Sequence, residues 1–294
     1  MLLWPAIIRP LLVVFAAVLL TGCSAIKLAY NNLPELGYWW IDGYADLGET
    51  QSLQLRNDLA QLHEWHRANE MPQIAELLQQ MQRDATADTT AQDVCRFFDQ
   101  VRERVNAVSL QAEPSTATLA VSLTPAQIKH AEGKFAKGNT EWRGDWVSGD
   151  RAQRLARRLK SSVERAEQFY GTLDDQQRAV LQAGLARSSW DPQRSYTERV
   201  RRQQDLLQTL RTVSGANGAA RSTPQEAAAL LRAYLNRTVQ STDLAHRAYV
   251  QTTIQENCVV YAQLHNSTSA AQRTRAVARL AAYERDAREL ARLP

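Results

Sequence analysis

The chain has 294 residues and carries 35 Lys and Arg against 31 Asp and Glu, a formal charge of +4. That excess is too small to call for nucleic acid, and no nucleic-acid partner is expected. Only 12 glycines and no run of β-branched residues alternating with polar ones argue against a sheet, and the length suffices for one large core.

Residues 1–22 read as a lipoprotein signal peptide. One basic residue, Arg9, precedes Leu11 to Leu20, ten positions without a polar side chain. This is short for a membrane span and fits a signal-peptide apolar core. Leu20-Thr21-Gly22-Cys23 follows and resembles a bacterial lipobox, so Cys23 is the expected lipidation site and the start of the mature chain. Each buried methylene of an acyl chain contributes about 0.8 kcal/mol, so two or three chains anchor a protein stably. Ser24 stands where aspartate would favour retention at the inner membrane. The expected location is the cell envelope, lipid-anchored at the outer membrane and facing the periplasm.

Residues 23–49 form an anchor-proximal segment. Its aromatics, Tyr38, Trp39, Trp40 and Tyr44, suit either the membrane interface or a position beneath the first long helix as core. From residue 50 apolar side chains recur at intervals of three and four. Leu55, Leu59, Leu62 and Trp65 begin one face, which Ile74, Leu77, Leu78 and Met81 continue beyond Pro72. Val94, Phe97, Phe98, Val101, Val105 and Val108 make a second, and Leu155, Leu159, Val163, Ala166 and Tyr170 a third. Loops are predicted at 111–122, 143–150, Asp191-Pro192 and 214–218. The last separates a helical bundle over 50–213 from a C-terminal helical hairpin over 214–294, packed on the same domain. The predicted fold is all-α: an elongated multi-helix bundle of amphipathic helices closed by that hairpin. Thr124-Pro125-Ala126-Gln127 and Thr223-Pro224-Gln225-Glu226 each place threonine at an N-cap, proline at the first helical position and Gln or Glu to complete a capping box. Asp174 has the same role in Leu173-Asp174-Asp175-Gln176-Gln177.

Chemistry-bearing clusters are few. His63 and His66 share a helix face, with Glu70 one turn on. They are a weak metal candidate beside the alternative of a polar face near Trp65, and no metal or cofactor is expected. Trp142, Arg143, Asp145 and Trp146 alternate aromatic and charged groups in a predicted turn. They suit a ligand or partner surface, or a loop pinned onto the bundle. Arg154, Arg157, Arg158 and Lys160, then Arg199, Arg201 and Arg202, put cations on amphipathic helices. Such faces can meet anionic headgroups, though nearby carboxylates also fit a solvated face of i,i+4 pairs. Cys95 and Cys258 either bridge the first third of the chain to the last, in a compartment where disulfides persist, or pack as two buried thiols. No nucleophile elbow, phosphate loop, dinucleotide fingerprint or zinc spacing is present, so the expectation leans away from an enzyme.

The blocks "AYNNLPELGYWWIDGYADL", "LHEWHRANEMP", "NTEWRGDWVSGD", "ERAEQFYGTLDDQQRAVL" and "DPQRSYTERVRRQQDLLQTLR" are similar to those of domain of unknown function 6279, an uncharacterised family of proteobacterial lipoproteins. The resemblance covers nearly the whole mature chain. It implies a helical, membrane-anchored envelope protein and supplies no catalytic residues. Leu123-Thr124-Pro125-Ala126-Gln127 also resembles the LTxxQ motif of small periplasmic helical chaperones, and Leu173-Asp174-Asp175-Gln176-Gln177 matches it with aspartate in place of threonine. The expected function is therefore a membrane-anchored binding or assembly factor with an envelope protein partner. An ATP-independent holdase is the alternative, and an envelope-polymer hydrolase is a third reading.

Overall fold

The computed structural model describes residues 22–292; the predicted signal peptide up to residue 21 and the Cys23 side chain lie outside the described residues. Among the described residues there are twelve helices and no strand. They are α1 (Gly22–Asn31), α2 (Leu33–Ala45), α3 (Glu49–Asp84), α4 (Ala91–Gln111), α5 (Glu113–Ser122), α6 (Pro125–Trp146), α7 (Arg151–Tyr170), α8 (Asp175–Arg187), α9 (Pro192–Ser214), α10 (Pro224–Val239), α11 (Leu244–Asn266) and α12 (Ala270–Arg292). The chain is all-α, as its periodicity predicts. No helix among the described residues is long and apolar enough to cross a membrane.

The spine is α3, whose 36 residues run through Pro72 for about 54 Å at 1.5 Å per residue. It pairs antiparallel with α12. Arg67 donates to the Leu290 carbonyl at 3.0 Å, Gln82 to Glu284 at 2.6 Å, and Arg273 to Asp88 at 2.5 Å. Met71 and Ala75 of α3 meet Ala287 and Leu290 of α12 over Tyr30 of α1. Two apolar lobes flank this pair. In one, Ala117 and Ala120 of α5 pack on Val213 of α9 and on Ala227 and Leu231 of α10, beside Leu123, Ile128, Ala131 and Leu207. In the other, Val163 and Ala166 of α7 gather with Leu173, Leu181 of α8 and Leu264 of α11. The last three helices serve both lobes: α10 packs on α5 and α9, α11 on α4 and α8, and α12 on α3 and α7.

Residues 113–122, predicted as loop, are helical. Their Ser, Thr and Ala content gives no amphipathic stripe, yet small side chains let α5 approach α9 and α10 closely, with Ala117 fully buried. Thr116 and Thr118 satisfy their hydroxyls on carbonyls one turn back, which keeps such residues compatible with a helix.

The predicted caps are all formed. Thr124, Asp174 and Thr223 each accept from the backbone N–H three residues on, within full capping boxes. Two of these starts do more. Gln127 is buried and meets Gln51, the third residue of α3, in a reciprocal amide pair: each Nε2 donates to the other's Oε1, at 2.7 and 3.3 Å. Gln127 Nε2 also donates to the Asp46 carbonyl at 2.9 Å, and Gln51 Nε2 to the Ser122 carbonyl at 3.1 Å. Gln177 and Gln272 repeat the arrangement at the starts of α8 and α12. Their mutual bonds are 2.7 and 2.9 Å, and each donates to a carbonyl two residues before the other's cap, Ser267 and Thr172, at 3.1 Å. Each glutamine oxygen also accepts its own cap N–H, from Gly48, Thr124, Asp174 and Ser269. Every amide is thus satisfied, with Gln127 and Gln177 buried and Gln51 and Gln272 half-buried, a condition under which such pairs hold. These clasps tie α3 to α6 and α8 to α12, and they give Gln127 and Gln177 an internal structural role.

Candidate ligand groove

Helix α4 carries an apolar face but has no buried residue, and Phe98 and Val101 remain 40% and 41% exposed. It rests on α11, held by a disulfide between Cys95 and Cys258 with Cα atoms 5.5 Å apart. One turn from the bridge, the rings of Phe98 and Tyr261 lie 6.2 Å apart. Between this edge and α7 runs an open groove of two compartments that share Phe98, Arg165 and Tyr261. The first, about 490 Å³, is apolar, with Phe97, Phe169, Leu264 and Leu280 in its lining. The second, about 520 Å³, holds Arg102, Arg158, Trp146 and Trp190.

The guanidinium of Arg158 lies 4.6 Å from the Trp190 ring centroid and donates to the Leu185 carbonyl at 3.3 Å. Burial lowers its pKa, because a cation loses hydration there. Arg165 donates to the carbonyl and hydroxyl of Ser161 at 3.1 and 2.9 Å. Among the described residues neither arginine has a carboxylate in ion-pair range, whereas Arg102 pairs with Asp99 at 3.1 Å. At the far end of the apolar compartment, the Tyr170 hydroxyl is 2.9 Å from Nδ1 of His265, whose Nε2 lies 2.8 Å from the Ala87 carbonyl. A carbonyl only accepts, so Nε2 donates to it. Burial pushes the Tyr170 hydroxyl up to about 12, so the tyrosine stays protonated.

The sequence candidates fall in different places. Trp142, Arg143, Asp145 and Trp146 occupy the last turns of α6 instead of a turn, and the helix ends only at Val147. Trp146 enters the groove edge to face with Trp190 at 6.5 Å. Trp142 instead stacks on Tyr196 at 5.9 Å with Arg143 over the same ring, and Asp145 is exposed. The arginines of α7 do not all make a solvated face. Lys160 pairs with Glu164, while Arg158 and Arg165, seven apart and therefore on one side of the helix, turn to the groove. That i,i+7 spacing was the available signal.

His63 and His66 pack on Tyr30, with the Tyr30 hydroxyl 2.9 Å from His66 Nδ1 and the His63 ring 4.6 Å from that of Tyr30. Glu70 is buried and faces Arg104 at 3.5 Å. Among the described residues no three His, Cys, Asp or Glu gather in a metal-holding arrangement. Burial holds both imidazoles below their ordinary value, with Arg67 adding to the effect at His63 and His63 itself at His66. The unfolded chain therefore binds protons below about pH 6.5 that the folded chain refuses, so stability rises with pH through that window and falls on acidification. Urea midpoints at about pH 7.5 and about pH 5.5 should show this drop, and His63→Gln/His66→Gln should flatten it. An unchanged slope in the double variant would remove these histidines as the cause.

The anchor-proximal aromatics divide. Tyr38 is buried beneath the Arg56 guanidinium, 3.6 Å from its ring centroid, and Tyr44 packs on Phe135 at 5.3 Å. Trp39 and Trp40 point outward, 61% and 68% exposed, with Leu33 and Leu36 beside them. At 3.6 residues per turn these four positions occupy a stripe about 120° wide along α2.

Fold and groove together define an all-α, disulfide-closed bundle with a cleft that is cationic at one end and apolar at the other. The chain belongs to the family of unknown function DUF6279, whose model matches residues 43–222. No curated protein and no solved structure matches it.

Proposed function

We propose that the protein is a lipid-anchored envelope protein of the bacterial outer membrane, facing the periplasm, which binds another envelope component through the groove. The observation that carries this reading is the amphipathic helix α4, left without a buried residue at the edge of an open cleft. An apolar face that its own fold leaves uncovered suits a binding surface. Anchorage at Cys23 is supported by the lipobox and by the outward stripe of Leu33, Leu36, Trp39 and Trp40, where amphipathic rings would lie at the headgroup level.

Membrane fractionation of cells tests the anchor. Cys23→Ser should shift most of the protein from the membrane to the soluble fraction, and adding Trp39→Ser/Trp40→Ser should release the remainder without lowering the melting temperature, since both rings are exposed. Retention unchanged by either substitution would sink the anchor reading. A photo-crosslinker at Val101, compared with one at exposed Val239 on α10, tests the groove: adducts confined to Val101 support binding there, and equal adducts at both sites refute it. The holdase reading draws on the same exposed α4 face and not on the motif glutamines, which are turned inward. It requires near-stoichiometric suppression of aggregation of unrelated unfolded proteins.

A further inference from the structure

We infer that the groove's occupant is a single-chain anionic amphiphile, its headgroup between Arg158 and Arg165 and its acyl chain in the apolar compartment beneath Phe98 and Tyr261. This deepens the binding reading and rests on it. The first support is the juxtaposition itself. One cleft joins a cationic and aromatic compartment to an apolar one, and the residues at the joint, Phe98, Arg165 and Tyr261, belong to both. A ligand that fills both must be charged at one end and oily at the other.

Charge complementarity gives the second support. Arg158 and Arg165 make hydrogen bonds only to backbone and hydroxyl oxygens, so among the described residues neither is in contact with a carboxylate, and Glu256 acts on Arg158 only at longer range. A half-buried guanidinium without a contacting counter-ion, as at Arg158, is costly, and a carboxylate or phosphate offers bidentate partners both to it and to the exposed Arg165 at the groove's rim. Of the acidic groups close to the groove, Asp84 lines the apolar compartment at an exposed position, and two others are engaged. Asp93 accepts from the Thr90 N–H and pairs with Arg96, and Glu256 accepts from Ser188 and Ser189. The third support is size, since about 490 Å³ of apolar space lies within the range of small-molecule sites and has room for one acyl chain.

The test uses the full lipidated chain, purified from membranes and washed in detergent, with three diazirine-bearing sixteen-carbon probes: a fatty acid, an alkyl phosphate and the neutral alcohol. Labelled peptides are mapped by mass spectrometry. Saturable labelling within α4, α7 and α11 by the acid or the phosphate, at least tenfold above the alcohol, is expected, and the stronger of the two identifies the headgroup. Arg165→Glu, at an exposed position, should reduce anionic labelling at least tenfold while the thermal melt is unchanged, and Arg158→Gln should act in the same direction. Equal labelling by the alcohol, or labelling outside the groove, would overturn the inference. So would intact adduct formation at the Val101 crosslinker to a protein segment in a chain that takes no probe, a result that leaves the broader binding reading standing.

Discussion

Cys95→Ala/Cys258→Ala should lower the free energy of unfolding by several kcal/mol. The bridge closes a separation of 163 residues, for which loop entropy alone gives about 5 kcal/mol, and measured losses usually run about 2–4 kcal/mol. The bond also holds α4, which has no buried residue of its own and so contributes little apolar burial to offset its release. The expected signature is therefore twofold. The melting temperature of the double variant falls by roughly 10 °C, on the scale of a few degrees per kcal/mol for a domain of this size. Amide exchange in α4 accelerates more than in α3 or α12, because the loss is local as well as global. Reductant should shift the parent protein to the variant's melt and leave the variant unmoved. A parent melt insensitive to reductant under denaturing pre-treatment would refute the assignment of the bridge as a stabilising tie.

Gln177→Leu is the second large effect. The side chain is 2% exposed, and its removal strands the Asp174 N–H and the Ser267 carbonyl and takes from the Gln272 amide two of its four bonds. Each buried orphan costs about 1–3 kcal/mol, so a loss of about 2–4 kcal/mol is expected after relaxation toward water. Gln127→Leu should cost less, because its clasp is more open, at 8% exposure, and its partner helix begins at Gly48, which has no side chain to cap with. The double variant Gln177→Leu/Gln272→Leu should be less destabilised than the two single losses added together, since two apolar side chains can face each other where one stranded amide cannot. Additive losses in urea unfolding would mean that the two amides are not coupled.

Much of the local structure was legible. Period and caps gave the helical class and the starts of α6, α8 and α10, because a threonine or aspartate cap and a glutamine or glutamate three residues on act on one another within a single turn. The pairing of those starts was not, since Gln127 meets Gln51 across 76 residues, and nothing local distinguishes a capping glutamine that is solvated from one that clasps another. Helix α5 was missed for a related reason: its contacts are made by alanines, which carry no hydrophobic stripe. The groove was half visible. Trp146 was singled out, but its companion Trp190 lies 44 positions away, and Arg158 and Arg165 looked like any cations on a charged helix. Only the packing of α7 against α8 and α12 decides which of its arginines face solvent.

The bridge also fixes how the molecule carries mechanical load. A pull between the chain's two ends travels to Cys95, crosses the sulfur–sulfur bond and leaves through Cys258, so the stretch between them stays slack. Helices α5 to α10, and with them the Arg158 and Arg165 wall of the groove, are outside the force path. The tension falls on α3 and α12, which are pulled from neighbouring ends, so their antiparallel contacts would open one after another from the Leu290 end. Reduction would add the 163-residue separation to the extensible chain, roughly 550 Å at about 3.4 Å per residue.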